Sequence, residues 1–463
     1  MSMLSNGLSG IVASQVVLDT VSQNLANALT PNYTRQGVVL TAKASANTSL
    51  SAGNGVEATS LVRYADSYKT QQMWRANSTL GQHEAAQAYL LQLEQVMGDT
   101  SSGLSASLDQ FFAALSAASV EPASSPLRQQ IIEQAKALGQ SLGDLSQVLS
   151  NQKAAVVQQR EVTLDQINSY TTQIAKLNEK IIQSTGAGLN TSSLEDQRDA
   201  QVDALAKLVG LQTMTQPDGS INLSLKGGQP LVVGNRAASM ALENTGGSYE
   251  VRVRFGNETF SLPSDNWQGT LGGLAALEAE VLNPMDATVR AMANALATEI
   301  NAAFQAGFGS DGQPGKALFV YDASSSSRVL TVTDIKTSEL GLSSAPDEAG
   351  NSDQLLKIIA LQQTPISLSL YAPDAVFLAD GIFFGDVYTQ MVGKLGTHSQ
   401  QSIASYETAQ TVRNQSESNW SSTSAVNSDE EAVNLMQYQQ MYQANMKVIS
   451  TANELFDSLL ALN

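Results

Sequence analysis

The 463-residue chain contains no cysteine, which excludes a disulfide framework, thiol catalysis and thiolate metal ligation. His83 and His398 are its only histidines. Each lies in a polar stretch with no neighbour at metal-ligand spacing, so both read as surface residues. Charge is sparse at 15% of residues, against about 25% in an average globular protein. It is also lopsided: 25 Lys and Arg against 43 Asp and Glu, a net charge of -18. That leaves no surplus of cations to neutralise phosphates and excludes nucleic acid as a partner. No run approaches the ~20 apolar residues of a membrane span, so no membrane is expected as a partner. The first residues lack the basic and apolar segments of a secretory leader. A protein leaving the cell would therefore do so without a cleaved signal peptide.

The motifs of enzyme chemistry are missing as well. No Gly-x-Ser-x-Gly elbow supports a serine nucleophile. Ser310-Asp311-Gly312 lacks the acidic core and later Glu of a calcium loop and reads as a turn. Gly53-Asn54-Gly55 is too short for a phosphate loop and opens no helix. The carboxylates of Glu195-Asp196 and Asp429-Glu430-Glu431 fall at expected helix starts, where the dipole favours them. No catalytic, cofactor-binding or metal residue is assigned, no cofactor is expected, and the chain reads as an interaction protein, not an enzyme.

What is present lies first at the two ends. Residues 1–29 and 429–463 both read as amphipathic helices, with more than 400 residues between them. Leu4, Ile11, Leu18 and Leu25 repeat every seven residues, Leu8 adds to the stripe, and Gly7, Ser14, Val21 and Ala28 are small or narrow. The outer face is Ser, Gln, Asn and Thr, with Asp19 as the one charge in the first 30 residues. Such a face suits neighbours on several sides better than bulk water. The last helix opens on Ser428-Asp429-Glu430-Glu431, a capping-box pattern. It carries Leu435, Tyr438, Tyr442, Ile449, Ala452, Phe456 and Leu459 at coiled-coil spacing, with Asn445 as a polar exception able to set register. Leu4, Leu8, Ile11, Leu18, Val21, Leu25, Leu435, Tyr442, Ile449, Phe456 and Leu459 are the candidate assembly interface. Periodicity does not name the partner: an intramolecular coiled coil and an intermolecular one fit equally.

Between the ends the period changes twice. Thr30-Pro31-Asn32-Tyr33 predicts a turn with φ > 0 at Asn32, and residues 36–64 an irregular hairpin. Helical periodicity dominates 65–210, including one long run that starts at Ser125-Pro126, with Ser125 as cap, and reaches Ile182. Alternation then takes over, with a turn at Gln216-Pro217-Asp218-Gly219 and a two-residue hairpin at Gly256-Asn257. Helix returns over 274–304, 305–352 is loop-rich with a strand near 328–333, and helix resumes from about 375. The expected fold is mainly α with a small β-rich domain. Paired terminal coiled-coil helices (1–45 and 420–463) bracket a nested helical bundle (46–210, 268–305 and 353–419), with an inserted outer β domain (211–267 and 306–352).

One segment carries a resemblance. Asn24, Asn27, Pro31, Asn32, Tyr33, Thr34 and Arg35, within Gln23–Arg35, resemble the N-terminal signature of bacterial flagellar axial proteins of the rod, hook and hook-associated type. Leu25 replaces the usual Ile of that signature and Asn32 its usual Gly. Glu431–Leu460 resembles the matching C-terminal signature. Tyr33-Thr34-Arg35-Gln36, Gly53–Val56, Arg63-Tyr64-Ala65-Asp66, Asp196-Gln197-Arg198-Asp199, Gly269–Leu274 and Gly307–Gly315 are similar to the hook-associated branch. The chain is compact for that branch after about residue 315, so its outer domain is reduced. The resemblance implies a structural subunit of the hook–filament junction, extracellular, exported through the flagellar type III apparatus. It implies terminal helices that order on assembly, with further copies of itself, hook protein, and a second junction protein or flagellin as partners. It also implies an export chaperone on the C-terminal helix. A hook or distal-rod subunit is the alternative within the class, and a flagellum-displayed enzyme or glycan-binding module the alternative outside it.

Overall fold

The structure, a computed structural model, describes residues 2–44, 53–98, 103–245, 248–264, 267–370 and 381–461. The chain divides into two compact units.

The first unit holds residues 1–81, 164–269 and 408–463. Its helices are α1 (Ser2–Ala26), the start of α2 (Ser67–Met97), the end of α4 (Ser125–Gly186), α5 (Ser192–Leu208), the end of α9 (Phe384–Ser424) and α10 (Ser428–Leu460). Helix α2 starts at Ser67, close to the expected residue 65, and its early inward positions are mostly polar or small. Thr70, Asn77 and Ser78 are buried beside Met73 and Trp74. Helix α4 is a single continuous helix of 62 residues. It begins at Ser125 itself, so Ser125 is the first helical residue and not the cap.

Strands β1 (Gln36–Ala42) and β2 (Val56–Arg63) pair as an antiparallel hairpin. A four-stranded meander follows from β3 (Leu211–Thr215), β4 (Ile221–Leu225), β5 (Pro230–Val233) and β6 (Arg236–Ala237). A three-stranded one follows from β7 (Ser239–Thr245), β8 (Ser248–Phe255) and β9 (Glu258–Leu262). The first expected turn forms because Gly219 adopts φ +83° and the Asp218 carboxylate accepts from the Ser220 amide at 3.0 Å. The second closes with Gly256 at φ +63° and Phe255 opposite Glu258. Ile221, Leu223 and Leu225 all face inward, the period of two that pins register. Two asparagines of α4 tie that helix to both sheets. Fully buried Asn178 donates to the Ile221 and Gly234 carbonyls, each at 2.8 Å, and accepts from the Ile221 amide. Asn168 donates to the Met240 carbonyl at 2.8 Å and accepts from its amide at 2.7 Å. Each amide side chain thus works as both donor and acceptor against one strand.

The second unit holds residues 82–163 and 270–407. It includes α3 (Leu104–Ala118), most of α4, α6 (Gly269–Leu277) from Thr270 onward, α7 (Asn283–Gln305), α8 (Asp353–Ala360) and the start of α9. Strands β10 (Phe319–Tyr321) and β11 (Leu330–Val332) form a short antiparallel pair there. One wide π-type turn, Glu278–Leu282, joins α6 to α7. The core is dense and aromatic: Phe111, Phe112, Phe304, Phe319 and Phe384 are all buried. Phe111 meets Phe112 edge-on at 5.5 Å and Phe319 at 5.8 Å. The guanidinium of Arg128, 1% exposed, donates through Nε to the Pro122 carbonyl and through Nη1 to those of Thr337 and Leu340, while its Nη2 has no partner among the described residues. Burial lowers its pKa from the ordinary arginine value.

Candidate assembly interface

Helices α1 and α10 pack side by side, and the β1–β2 hairpin lies along α1. The inward face of α1 is Gly7, Gly10, Ile11, Ser14, Val17, Val21 and Asn24, the three-four spacing of a coiled-coil seam. Small residues set its closeness. A Cβ on Gly7 would sit 2.9 Å from Ile449 Cγ1, and one on Gly10 would sit 2.6 Å from the Asn445 amide group. The polar exception of the α10 seam therefore fills the space that a glycine of α1 leaves open.

The sequence-derived interface residues divide accordingly. Ile11 and Val21 are buried; Leu4, Leu18, Leu435, Tyr442 and Ile449 are half-buried; Leu8, Leu25, Phe456 and Leu459 are exposed. Phe456 is 58% and Leu459 65% exposed. Heptad spacing marked the stripe, but only the three-dimensional pairing distinguishes its inner edge of small residues from its outer edge of large ones.

The signature segment folds into a compact knot at the end of α1. Asn24, 1% exposed, donates to the Gln36 carbonyl at 2.8 Å. Its Oδ1 accepts from the Gln36 amide and from the Tyr33 hydroxyl, each at 3.0 Å. Asn32 has φ +61°, alone among the described non-glycine residues in the left-handed region. The Tyr33 amide closes that turn on the Thr30 carbonyl at 3.2 Å. Asn27 accepts from the Thr30 hydroxyl, and Pro31 is exposed. Thr34 is buried, and its amide donates to Asp196 Oδ2 at 3.2 Å.

From there the knot reaches both termini of the sequence. Arg35 donates to Glu430 Oε2 at 2.8 Å, lies 4.7 Å from the Tyr64 ring centroid, and binds the Ser424 carbonyl through its amide. Arg63 meets Asp196 at 2.7 Å, Asp199 at 2.8 Å and Glu195 at 3.5 Å. Arg198 grips Asp199 at 3.0 Å and the Gly219 carbonyl at 2.7 Å. The Arg63-Tyr64 and Asp196–Asp199 segments, far apart in sequence, thus form one charge cluster. Three carboxylates share the Arg63 guanidinium, so burial outweighs its attraction at Asp196 and raises that carboxyl's pKa. Asp199 and Asp196 hold Arg63 above its ordinary value against the opposing effect of burial. Tyr33 is pushed up to about 12, first by burial and then by the charges of Asp196 and Glu431.

The elbow between α9 and α10 completes the site. Asn427, not Ser428, caps α10, accepting from the Asp429 amide at 3.0 Å and the Glu430 amide at 3.4 Å. A cleft at the turn is lined by Leu29, Asn32, Tyr33, Glu417, Trp420 and Val426, among others. Away from this site, in the second unit, His83 and His398 line a single cleft with Glu280. The sequence had treated those two histidines as unrelated surface residues. This arrangement joins the end of α1, the hairpin, α5 and the start of α10 by hydrogen bonds and ion pairs and leaves large apolar side chains exposed on α1 and α10.

Comparison with known proteins follows the same lines. Residues 90–319 match the model for the flagellar hook-associated protein FlgK helical domain, and residues 417–462 that for the flagellar basal body rod FlgEFG protein C-terminal region. Flagellar hook-associated protein 1 of Salmonella typhimurium is 27% identical over 551 aligned positions, spanning 99% of each chain. That of Bacillus subtilis is 24% identical over 504 positions, spanning 99% of this chain and 97% of its own. Both alignments are longer than the 463 residues here, so they open gaps on this chain's side. The flagellar hook junction protein FlgK from Burkholderia pseudomallei superposes with a TM-score of 0.51 and 30% identity. That match covers 54% of this chain and 47% of the other, about half of each.

Proposed function

We infer that the chain, which belongs to the FlgK family of flagellar hook-associated proteins, is a structural subunit of the bacterial flagellum at the hook–filament junction. The observation that carries this is the signature knot. It binds the end of α1, the hairpin and the start of α10 through Asn24, Arg35 and Arg63, leaving large apolar side chains outward on both terminal helices. The protein associates with other hook and filament components and belongs to the external flagellum.

Leu8, Leu25, Phe456 and Leu459 dock on the terminal helices of neighbouring copies. Ile11, Val21 and the half-buried Leu4, Leu18, Leu435, Tyr442 and Ile449 hold the α1–α10 pair that presents them. Hook protein lies on one side of the resulting ring, and a second junction protein or flagellin on the other. Before assembly an export chaperone covers the exposed stripe of α10, and the subunit travels unfolded through the type III apparatus. Isolated terminal helices with so little to bury against lack the tertiary support that helices need, so they order fully only in the ring. The protein works by packing and not by catalysis.

A strain lacking this chain tests the reading. Bare hooks on the cells and flagellin in the medium are expected. Missing hooks would move the protein to the rod or hook, and intact filaments would refute the junction role.

A further inference from the structure

A second feature of the first unit is independent of the junction reading. A cleft of about 500 Å³ lies between one face of α2 and the β3 region. Its lining includes Trp74, Arg75, Ser78, Gln212, Lys226 and Gln268. Trp74, Arg75 and Ser78 share one face of α2 by their three-four spacing.

Two of these side chains are deeply buried and have an unused polar atom. Trp74 is 6% and Ser78 5% exposed, and neither Trp74 Nε1 nor Ser78 Oγ has a hydrogen-bond partner. An indole N–H is a donor only, so it needs an acceptor. Leaving a buried donor unmatched is unfavourable, and native proteins rarely do so. Beside them stand Arg75 and Lys226, exposed cations that form no ion pair among the described residues. In a chain with 43 acidic residues, this lining holds two cations and no acid. Residues with unmatched neutral donors and exposed cations in one lining, with no acid among them, complement an oxyanion.

We propose that this cleft is an oxyanion-binding site, with Trp74 Nε1–H and Ser78 O–H as buried donors and Arg75 and Lys226 as charge partners. The ligand is a carboxylate or phosphate-type group, whether free in solution or borne on an acidic side chain of another subunit.

The test uses the indole N–H signals of the full chain, which has three tryptophans; Trp74→Phe identifies the relevant signal. Trp267 is the internal control, because its Nε1 already donates to the Leu262 carbonyl at 3.1 Å. Phosphate and acetate are titrated separately against chloride at matched ionic strength. The expected result is a saturable shift of the Trp74 signal alone, with at least ~10-fold weaker binding in the Arg75→Gln, Lys226→Gln double variant. Tighter binding of acetate supports a protein carboxylate as the source, and tighter binding of phosphate a free anion. A shift that chloride reproduces, one unchanged in the double variant, or none at all overturns the proposal and leaves a cleft that holds water. An unmoved Trp267 signal verifies that the variant has kept its fold.

Discussion

Helices α7 and α10 are built on opposite principles. Helix α7, of 23 residues, buries Met285, Val289, Met292, Leu296, Ile300 and Phe304 within the second unit. Helix α10, of 33 residues, buries only Glu431 and Ala452 and leaves Val433, Met436, Leu455, Phe456 and Leu459 exposed. The first draws its stability from its own chain. The second is covered on one side by α1, and its outward large apolar side chains are left uncovered by the described residues. Exposed large apolar side chains aligned along one element mark an interaction surface, whereas single ones do not. The difference separates apolar side chains that the fold uses from ones that the described residues leave exposed.

The comparison breaks most visibly in the core. Phe304→Ala should cost about 3–5 kcal/mol through lost burial and a cavity. Native-state hydrogen exchange should place that loss in the second unit and leave α1 and α10 unaffected. Arg63→Ala should cost about 3 kcal/mol, because it leaves the buried carboxylate of Asp196 without its cation and the half-buried Asp199 with Arg198 alone. Here exchange should rise instead in β2, α5 and the end of α1. Equal loosening of the second unit would mean that the knot is not a local tie.

Smaller changes sharpen the contrast within the terminal pair. Gly10→Leu should cost about 2 kcal/mol by forcing α1 off Asn445, seen as faster exchange along both helices and loss of incorporation into flagella. Asn32→Val should cost about 1 kcal/mol, since a β-branched residue resists φ > 0. Replacement by Gly should be tolerated, and equal behaviour of the Val and Gly variants would show that the turn does not need its left-handed residue.

The fold was legible where a pattern had one physical reading. The turns at Gln216–Gly219 and Gly256-Asn257 required particular residues and formed where those residues stood. The long helical run expected to Ile182, which the pattern left open to one break, is the unbroken α4. Strands β5, β6 and β7 were missed because Pro230–Thr245 shows no sustained alternation. The start of α2 at Ser67 lies close to the expected residue 65, although Thr70, Asn77 and Ser78 among its buried residues are polar. At the candidate site, the signature residues identified the turn, but not that Asp196–Asp199, more than 130 residues from Arg63, completes it. Charge pairing across the chain leaves no periodic trace. The same limit hid the meeting of Gly10 with Asn445, since spacing finds a seam without finding its partner.

The most direct test of the central claim is complementation of a strain lacking this chain with the Phe456→Asp, Leu459→Asp variant, scoring flagellin in the medium and filaments on the cells. Both side chains are exposed, so stability should change by no more than about 0.5 kcal/mol per site, and exchange in the second unit should be unaltered. The account predicts exported, folded variant protein, bare hooks and flagellin lost to the medium. Normal filaments would contradict it.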